Sequence, residues 1–155
     1  MDQNKEIEEI KNEITRLLDE YYLSYRRLDF KAMKELMLTD ETLIGIGTDM
    51  EEFWLGWDEI KDYLESQLKS ILEIDFKVNT RRIKLANSKD VAWFGETLTG
   101  TFSLPGEIIE LPIRMSGVVQ KIGDKWKIVH FHRSVPIKEN AVKYKYPVSR
   151  VRVRM

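Results

Sequence analysis

The chain has 155 residues, of which 43% are hydrophobic, and this size and composition suit one compact domain with a sizeable core. Its 25 basic and 26 acidic side chains nearly cancel, so we expect neither nucleic acid nor a membrane as a partner. Cysteine is absent, which excludes disulfides and thiolate chemistry, and no apolar stretch is long enough to cross a bilayer. A cytoplasmic protein is therefore expected.

Three amphipathic helices are predicted in the N-terminal half. Apolar residues recur every three or four positions across 7–28, which predicts a long helix with one buried stripe. Asp29 is placed to cap a short second helix. A third helix is predicted after Gly56, because Asp58 and Glu59 favour a helix start through the helix dipole.

The rest of the chain has the pattern of a β-sheet. After the third helix the hydrophobic period changes to two, and Gly123-Asp124 is a two-residue hairpin turn. The predicted strands cover 42–47, 74–78, 91–102, 107–122 and 126–134. Helices followed by a meander of antiparallel strands predict an α+β fold.

The last of these strands carries a family resemblance. Its sequence, Trp126-Lys-Ile-Val-His-Phe-His-Arg-Ser134, closely resembles the last strand of the association domain of calcium/calmodulin-dependent protein kinase II. It also resembles SnoaL-like members of the nuclear transport factor 2-like superfamily, as do Asp40-Glu-Thr-Leu43 and the loop from Asp49 to Gly56. The resemblance implies a cone-shaped roll, in which a curved antiparallel sheet wraps around three N-terminal helices. The superfamily contains enzymes, binding modules and assembly domains, so the resemblance names no reaction.

The resemblance divides the chain into two parts. Residues 1–136 are expected to form the SnoaL-like domain, and residues 137–155 a basic C-terminal extension. From Pro136 onward there are six basic residues and one acid, and the end of the chain alternates apolar and basic residues. This alternation predicts an added edge strand.

The hairpin around Gly123-Asp124 sets a register for the two strands that it joins. In that register Arg114 falls opposite Arg133, and Ser116 lies on the same face. Both faces carry apolar residues, so one is expected to be covered by the helices and the other by a second subunit in a homodimer. The predicted dimer face includes Met115, Trp126, Ile128, His130 and His132.

The resemblance also implies a ligand pocket. Leu111-Pro-Ile-Arg114 matches the ketosteroid isomerase strand whose acid points into the steroid pocket, and Arg133 matches a pocket arginine of the kinase association domain. Arg114 and Arg133 are thus expected to hold an anionic or carboxylate ligand with an apolar body, because a guanidinium fork matches a carboxylate. In the alternative, Glu96 or Glu110 neutralises them.

Other residues are predicted to join this pocket. Tyr21 matches the ketosteroid isomerase tyrosine that hydrogen-bonds the developing oxyanion, and Tyr25 lies one turn further along the same stripe; such tyrosines often only fill the core. Trp54 lies in the loop that often closes the pocket mouth. Trp93 either lines the cavity or fills space, and Glu96 is a candidate acid or base.

Three functions remain open from the sequence. The leading hypothesis is a small-molecule-binding protein, the second a SnoaL-like isomerase, cyclase or hydrolase acting on a hydrophobic carbonyl substrate, and the third an association module with a vestigial pocket. The ketosteroid isomerase mechanism itself is not supported, because Gly45 stands where its base should be and Arg114 replaces its inward acid. No cofactor is expected, and no metal, because His130 and His132 lack a third ligand at a clear spacing.

Overall fold

The computed structural model describes residues 2–137 of the protein. Three helices, α1 (Gln3–Arg26), α2 (Phe30–Glu35) and α3 (Gly56–Gln67), are followed by a single turn of 3-10 helix at Leu68–Ser70. The strands are β1 (Ile44–Ile46), β2 (Phe53–Leu55), β3 (Glu73–Leu85), β4 (Val91–Leu104), β5 (Glu107–Ile122) and β6 (Lys125–Ser134). The predicted α+β roll is confirmed. The predicted edge strand of the extension lies outside the described residues.

The helices begin where the sequence places their caps. The Asp2 side chain accepts a hydrogen bond from the Asn4 amide at 3.0 Å at the start of α1, and Asp29 accepts one from Ala32 at 3.0 Å at the start of α2. Gly56 starts α3 with φ +77°, a conformation that glycine adopts without strain. The buried stripe of α1 packs against the sheet and includes Ile14, Leu17, Leu18, Tyr21, Tyr22 and Tyr25.

All six strands belong to one sheet in the order β2-β1-β6-β5-β4-β3. The long strands β3 to β6 form the antiparallel meander that the sequence predicts, and β1 pairs with β6 in parallel. The inner face of the sheet packs on the helices, and a cavity opens between this face, α3 and the loop that joins β1 to β2.

A β-bulge at Val129 changes the phase of β6. Val119 pairs with Ile128 and Val118 pairs with His130, so Val129 is an extra residue without a partner in the ladder. Side chains alternate between faces along a strand, so one extra residue moves every later side chain to the opposite face.

This bulge overturns the predicted pairing of the two arginines. Arg114 pairs with Ser134, and Arg133 pairs with Met115, which is buried in the core. Arg133 therefore faces inward as predicted, whereas Arg114 is exposed on the outer face. The prediction that both arginines point into the same pocket is wrong, because it assumed unbroken alternation of the side chains along β6.

The predicted composition of the dimer face is also wrong in part. Met115, Trp126 and Ile128 are at most 6% exposed and belong to the chain's own core. Of the predicted set, only His130 and His132 lie on the outer face, and the His130 Nδ1 atom lies 3.0 Å from the carbonyl oxygen of Ile44. Exposed apolar side chains do occur on that face, at Phe53, Leu55 and Trp93.

Candidate functional site

The cavity in front of the inner sheet face has a volume of about 240 Å³. Its apolar wall includes Ile74, Phe76, Phe102, Leu111 and Ile113 from three neighbouring strands. Its polar side chains include those of Tyr25, Asp49, Glu52, Tyr63 and Arg133. Most of the wall thus suits an apolar molecule, and a few polar groups are positioned to orient it.

Arg133 is the cation of this cavity. Its Nη2 atom donates to the hydroxyl oxygens of Tyr25 at 2.5 Å and Tyr21 at 3.2 Å, and its Nε atom is buried without a hydrogen-bond partner. The guanidinium carbon lies 5.0 Å from the ring centroid of Tyr25 and 5.1 Å from that of Phe131. Aromatic faces and neutral hydroxyls stabilise this charge but do not neutralise it.

No carboxylate pairs with Arg133 within residues 2–137, since none of the ion pairs found there involves it. Burial disfavours the charged form of Arg133, but its contacts with Tyr21 and Tyr25 outweigh this effect and keep its pKa above the ordinary value for arginine. The guanidinium therefore stays charged. The alternative in which Glu96 or Glu110 neutralises it is not found in this part of the chain.

The tyrosines beside Arg133 leave one donor free. Tyr21 donates its hydroxyl proton to the Tyr25 oxygen at 3.3 Å, so the Tyr25 oxygen accepts from both Tyr21 and Arg133. A phenol carries one proton, and that of Tyr25 remains free to donate into the cavity. Burial raises the pKa of Tyr21 well above its ordinary value, although the nearby Arg133 charge opposes this, so Tyr21 stays neutral.

Glu52 is the buried anion of the same cavity. It is 7% exposed, its Oε2 atom accepts from the Asp49 amide at 2.9 Å, and its Oε1 atom accepts from the Tyr63 hydroxyl. Gly47 makes room for it, because a Cβ atom at that position would lie 2.0 Å from Glu52 Oε2. Within residues 2–137 no Lys, Arg or His forms an ion pair with this carboxylate.

A row of aromatic rings connects the two charges. The Phe131 ring, next to the Arg133 guanidinium, lies 6.3 Å from the Trp54 ring, centroid to centroid. Trp54 lies 4.8 Å from Tyr63, whose hydroxyl reaches Glu52. The cavity therefore has a cationic and an anionic pole, with Trp54 between them. The role of Trp54 at the pocket mouth stays a prediction.

Glu96, a predicted pocket acid, belongs to a separate buried network. Its Oε2 atom accepts from Arg81 Nε at 2.7 Å and its Oε1 atom from the Tyr22 hydroxyl at 2.5 Å, while Arg81 Nη1 also donates to Asp19 at 2.7 Å. Burial, and then the charge of Glu96, raise the pKa of Tyr22. Burial lowers the pKa of Arg81, but Glu96 and Asp19 together raise it above its ordinary value. This network neutralises Glu96, which does not line the cavity.

Three other predicted pocket residues lie on the outer face of the sheet. Ser116 and Arg114 are exposed there, and Trp93 is 50% exposed. In β5 the buried positions are Ile113 and Met115, so the even-numbered residues between and after them point outward. The prediction that these residues line the pocket is therefore wrong. For Arg114 and Ser116 it assumed unbroken alternation along β6, and for Trp93 it rested on the aromatic side chain alone.

Glu52 and Tyr63 were not predicted as site residues. Glu52 lies two residues before Trp54, which was predicted to face the pocket, so strand alternation would have placed Glu52 on the same side. Tyr63 gives no local signal, because a tyrosine in a helix that contacts a buried carboxylate looks the same in sequence as one that only fills the core.

None of the helices within residues 2–137 is both long and apolar enough to span a bilayer.

Comparisons with known proteins agree on the fold. The family model described as a SnoaL-like domain matches residues 14–138. A nuclear transport factor 2-like superfamily protein from Salmonella enterica is similar, with a TM-score of 0.77, 23% identity and coverage of 86% of this chain and 95% of that chain.

Two further solved structures are similar. One from Xanthomonas campestris, provisionally described as a calcium/calmodulin-dependent protein kinase II association domain, has a TM-score of 0.71, 21% identity and coverage of 81% and 87% of the two chains. One from Novosphingobium aromaticivorans, provisionally described as a scytalone dehydratase, has a TM-score of 0.75, 14% identity and coverage of 88% and 89%. No curated protein sequence matches this chain. At these identities the structural likenesses show the fold alone.

Proposed function

The chain belongs to the SnoaL-like domain family, and within that family we propose that it binds a small carboxylate-bearing molecule with an apolar body. Arg133 is the anchor of this proposal, and Arg114 has no part in it. The same superfamily was expected from the sequence, and the family match confirms that resemblance.

The observation that carries the proposal is the buried, charged and unneutralised guanidinium of Arg133. A buried cation without an anionic partner is costly, so a ligand that supplies the missing negative charge is expected to bind there favourably. The free proton of Tyr25 and the unpartnered Nε atom of Arg133 are both donors, and a carboxylate accepts several hydrogen bonds at once.

The cavity limits the size of the ligand. Its volume of about 240 Å³ lies below the range of roughly 300–1,000 Å³ that is common for drug-sized ligands. The aromatic and aliphatic walls around Phe76, Phe102 and Ile113 favour a single ring or a short hydrocarbon chain next to the carboxylate.

Binding of small carboxylates tests the proposal. Benzoate, para-toluate and caproate would be measured by calorimetry and thermal shift against the corresponding amides. Arg133→Met should weaken carboxylate binding about tenfold or more, because a hydrogen bond to a charged group contributes about 1.5–3 kcal/mol.

Arg114→Met is the matched control, because it makes the same chemical change at an arginine that is exposed on the outer face of the sheet. It should bind the carboxylates as the wild type does. Equal binding by Arg133→Met and the wild type, or a loss confined to Arg114→Met, would contradict the proposal.

A second candidate is an enzyme that transfers protons on a carbonyl substrate. The observation in its favour is that Asp49 and Glu52 bring two carboxylates to the cavity, whereas Glu96 and both histidines point elsewhere. A carboxylate within hydrogen-bond reach of a substrate carbon acid acts as a general base. Enzyme-dependent incorporation of deuterium from heavy water into small apolar ketones, lost in Glu52→Gln and Asp49→Asn, would support it, and its absence in the wild type would exclude it.

A further inference from the structure

We propose that the ligand carries an ammonium group as well as a carboxylate, and that Glu52 binds this ammonium. The ligand is then a zwitterion whose two charged groups are separated by an apolar ring or chain. The inference rests on the proposed function, because it takes Arg133 as the site of the carboxylate and adds the group at the other pole.

No cation compensates the charge of Glu52 within residues 2–137. The carboxylate is buried, and its two hydrogen-bond donors, the Asp49 amide and the Tyr63 hydroxyl, are both neutral. Each orients the carboxylate, and neither cancels its charge. A buried carboxylate is stabilised most by a cation, and within the described part of the chain no basic side chain forms an ion pair with it.

The Glu52 carboxylate can accept further hydrogen bonds from a ligand. A carboxylate has about four acceptor positions, and here the protein occupies one on each oxygen. Glu52 lines the cavity, and its Oε2 atom packs closely against Gly47, where a Cβ atom would lie 2.0 Å from that oxygen. The carboxylate therefore fits this position only because residue 47 has no side chain.

An aromatic surface lies next to Glu52 in the cavity. Trp54 and Tyr63 both line the cavity, with ring centroids 4.8 Å apart and an angle of 47° between the rings. Trp and Tyr faces attract ammonium groups, and the attraction strengthens when the group is desolvated. A carboxylate beside two such rings is a good site for an organic cation.

The two poles are separate sites. Arg133 and Glu52 do not form an ion pair with each other at the 4.0 Å limit, and they are connected only through contacts of the Phe131, Trp54 and Tyr63 rings, with centroids 6.3 Å and 4.8 Å apart. A ligand that reaches both poles therefore carries its amine and its carboxylate at opposite ends of an apolar body. The compounds para-aminomethylbenzoate and ε-aminocaproate meet this requirement with a ring and with a chain.

The experiment compares each zwitterion with analogues that lack one charge. Binding of para-aminomethylbenzoate, para-toluate and para-methylbenzylamine to the wild-type protein would be measured by calorimetry, together with ε-aminocaproate, caproate and hexylamine. In at least one series the zwitterion should bind about tenfold or more tightly than either analogue.

Glu52→Gln should remove this advantage of the zwitterion and should not weaken para-toluate or caproate, because neither compound has an ammonium group for Glu52 to bind. Glu51→Gln is the matched control, because it makes the same chemical change one residue away at an exposed position. If Glu52→Gln does not fold, the comparison of the six compounds on the wild-type protein still decides the question.

The outcomes separate the two proposals. If the carboxylates bind in an Arg133-dependent manner but the zwitterions bind no better, the ammonium inference is wrong and the proposed function stands. If Glu52→Gln weakens para-toluate and the zwitterion equally, the inference is also wrong. If no compound of either series binds, both proposals fail.

Discussion

Replacing Arg81 with methionine should destabilise the protein strongly, because Arg81 neutralises a buried carboxylate. The side chain of Glu96 is 0% exposed, and Arg81 Nε lies 2.7 Å from its Oε2 atom. Without Arg81, only the Tyr22 hydroxyl hydrogen-bonds Glu96. Removing one partner of a buried ion pair costs about 3–5 kcal/mol.

The second contact of Arg81, with Asp19, adds little to this magnitude. Asp19 is 60% exposed, and exposed ion pairs contribute roughly 0–1 kcal/mol. A loss of about 3–5 kcal/mol corresponds to a fall in Tm of roughly 6–20 °C for a chain of this size. Urea denaturation followed by the fluorescence of the four tryptophans would measure the free energy of unfolding.

Two further variants control this experiment. Arg82→Met changes the neighbouring, exposed arginine, whose one side-chain hydrogen bond goes to the Arg81 carbonyl, and should alter stability by no more than about 0.5 kcal/mol. Arg81→Met combined with Glu96→Met replaces the whole pair with apolar groups and should recover most of the loss, since Tyr22 keeps the Met115 sulfur as an acceptor at 3.2 Å. The reasoning is refuted if the single variant loses less than about 1 kcal/mol or if the double variant is no more stable than the single one.

Two other predictions concern packing and association. Gly117→Ala should destabilise the protein by about 1–3 kcal/mol, because the new Cβ atom would lie 2.3 Å from the His130 carbonyl oxygen. Gly95→Ala is the control, because its new Cβ atom meets nothing within 4 Å. Equal free energies of unfolding for the two variants would contradict this prediction. We also expect a homodimer through the outer sheet face, where Trp93 is 50% exposed. Light scattering should show a dimer at micromolar concentration and a folded monomer for Trp93→Glu, and a monomeric wild-type protein would refute the idea.

Most of the fold could be predicted from the sequence because it depends on periodicity and local signals. The stripe of α1, the cap at Asp29 and the Gly123-Asp124 turn all depend on neighbours close in the chain, and each prediction agrees with the structure. The parallel pairing of β1 with β6 was not predicted, since it joins residues that are far apart in sequence and leaves no local pattern.

The site could be predicted only in part. The family resemblance predicted that Arg133 faces inward, and the structure agrees, although the predicted pairing of β5 with β6 that supported it was wrong. Arg81 was not proposed as the partner of Glu96, because their pairing follows a bulge after Val78 that the sequence does not signal. Glu52 was not singled out, because residues 49–56 were interpreted as a loop, and only the strand β2 found there gives the alternation that places Glu52 on the side of Trp54.

The extra residue at Val129 decides which half of β6 supplies the ligand site. Before it, the even-numbered positions of β6 form the core, as at Trp126 and Ile128; after it, the odd-numbered positions face inward, as at Phe131 and Arg133. In an unbroken strand the positions of His130 and His132 would face the cavity and Arg133 would face away from it. The charge inside the cavity is thus set by a residue that does not line it, and a one-residue deletion in β6 would change that charge without a substitution at any lining position.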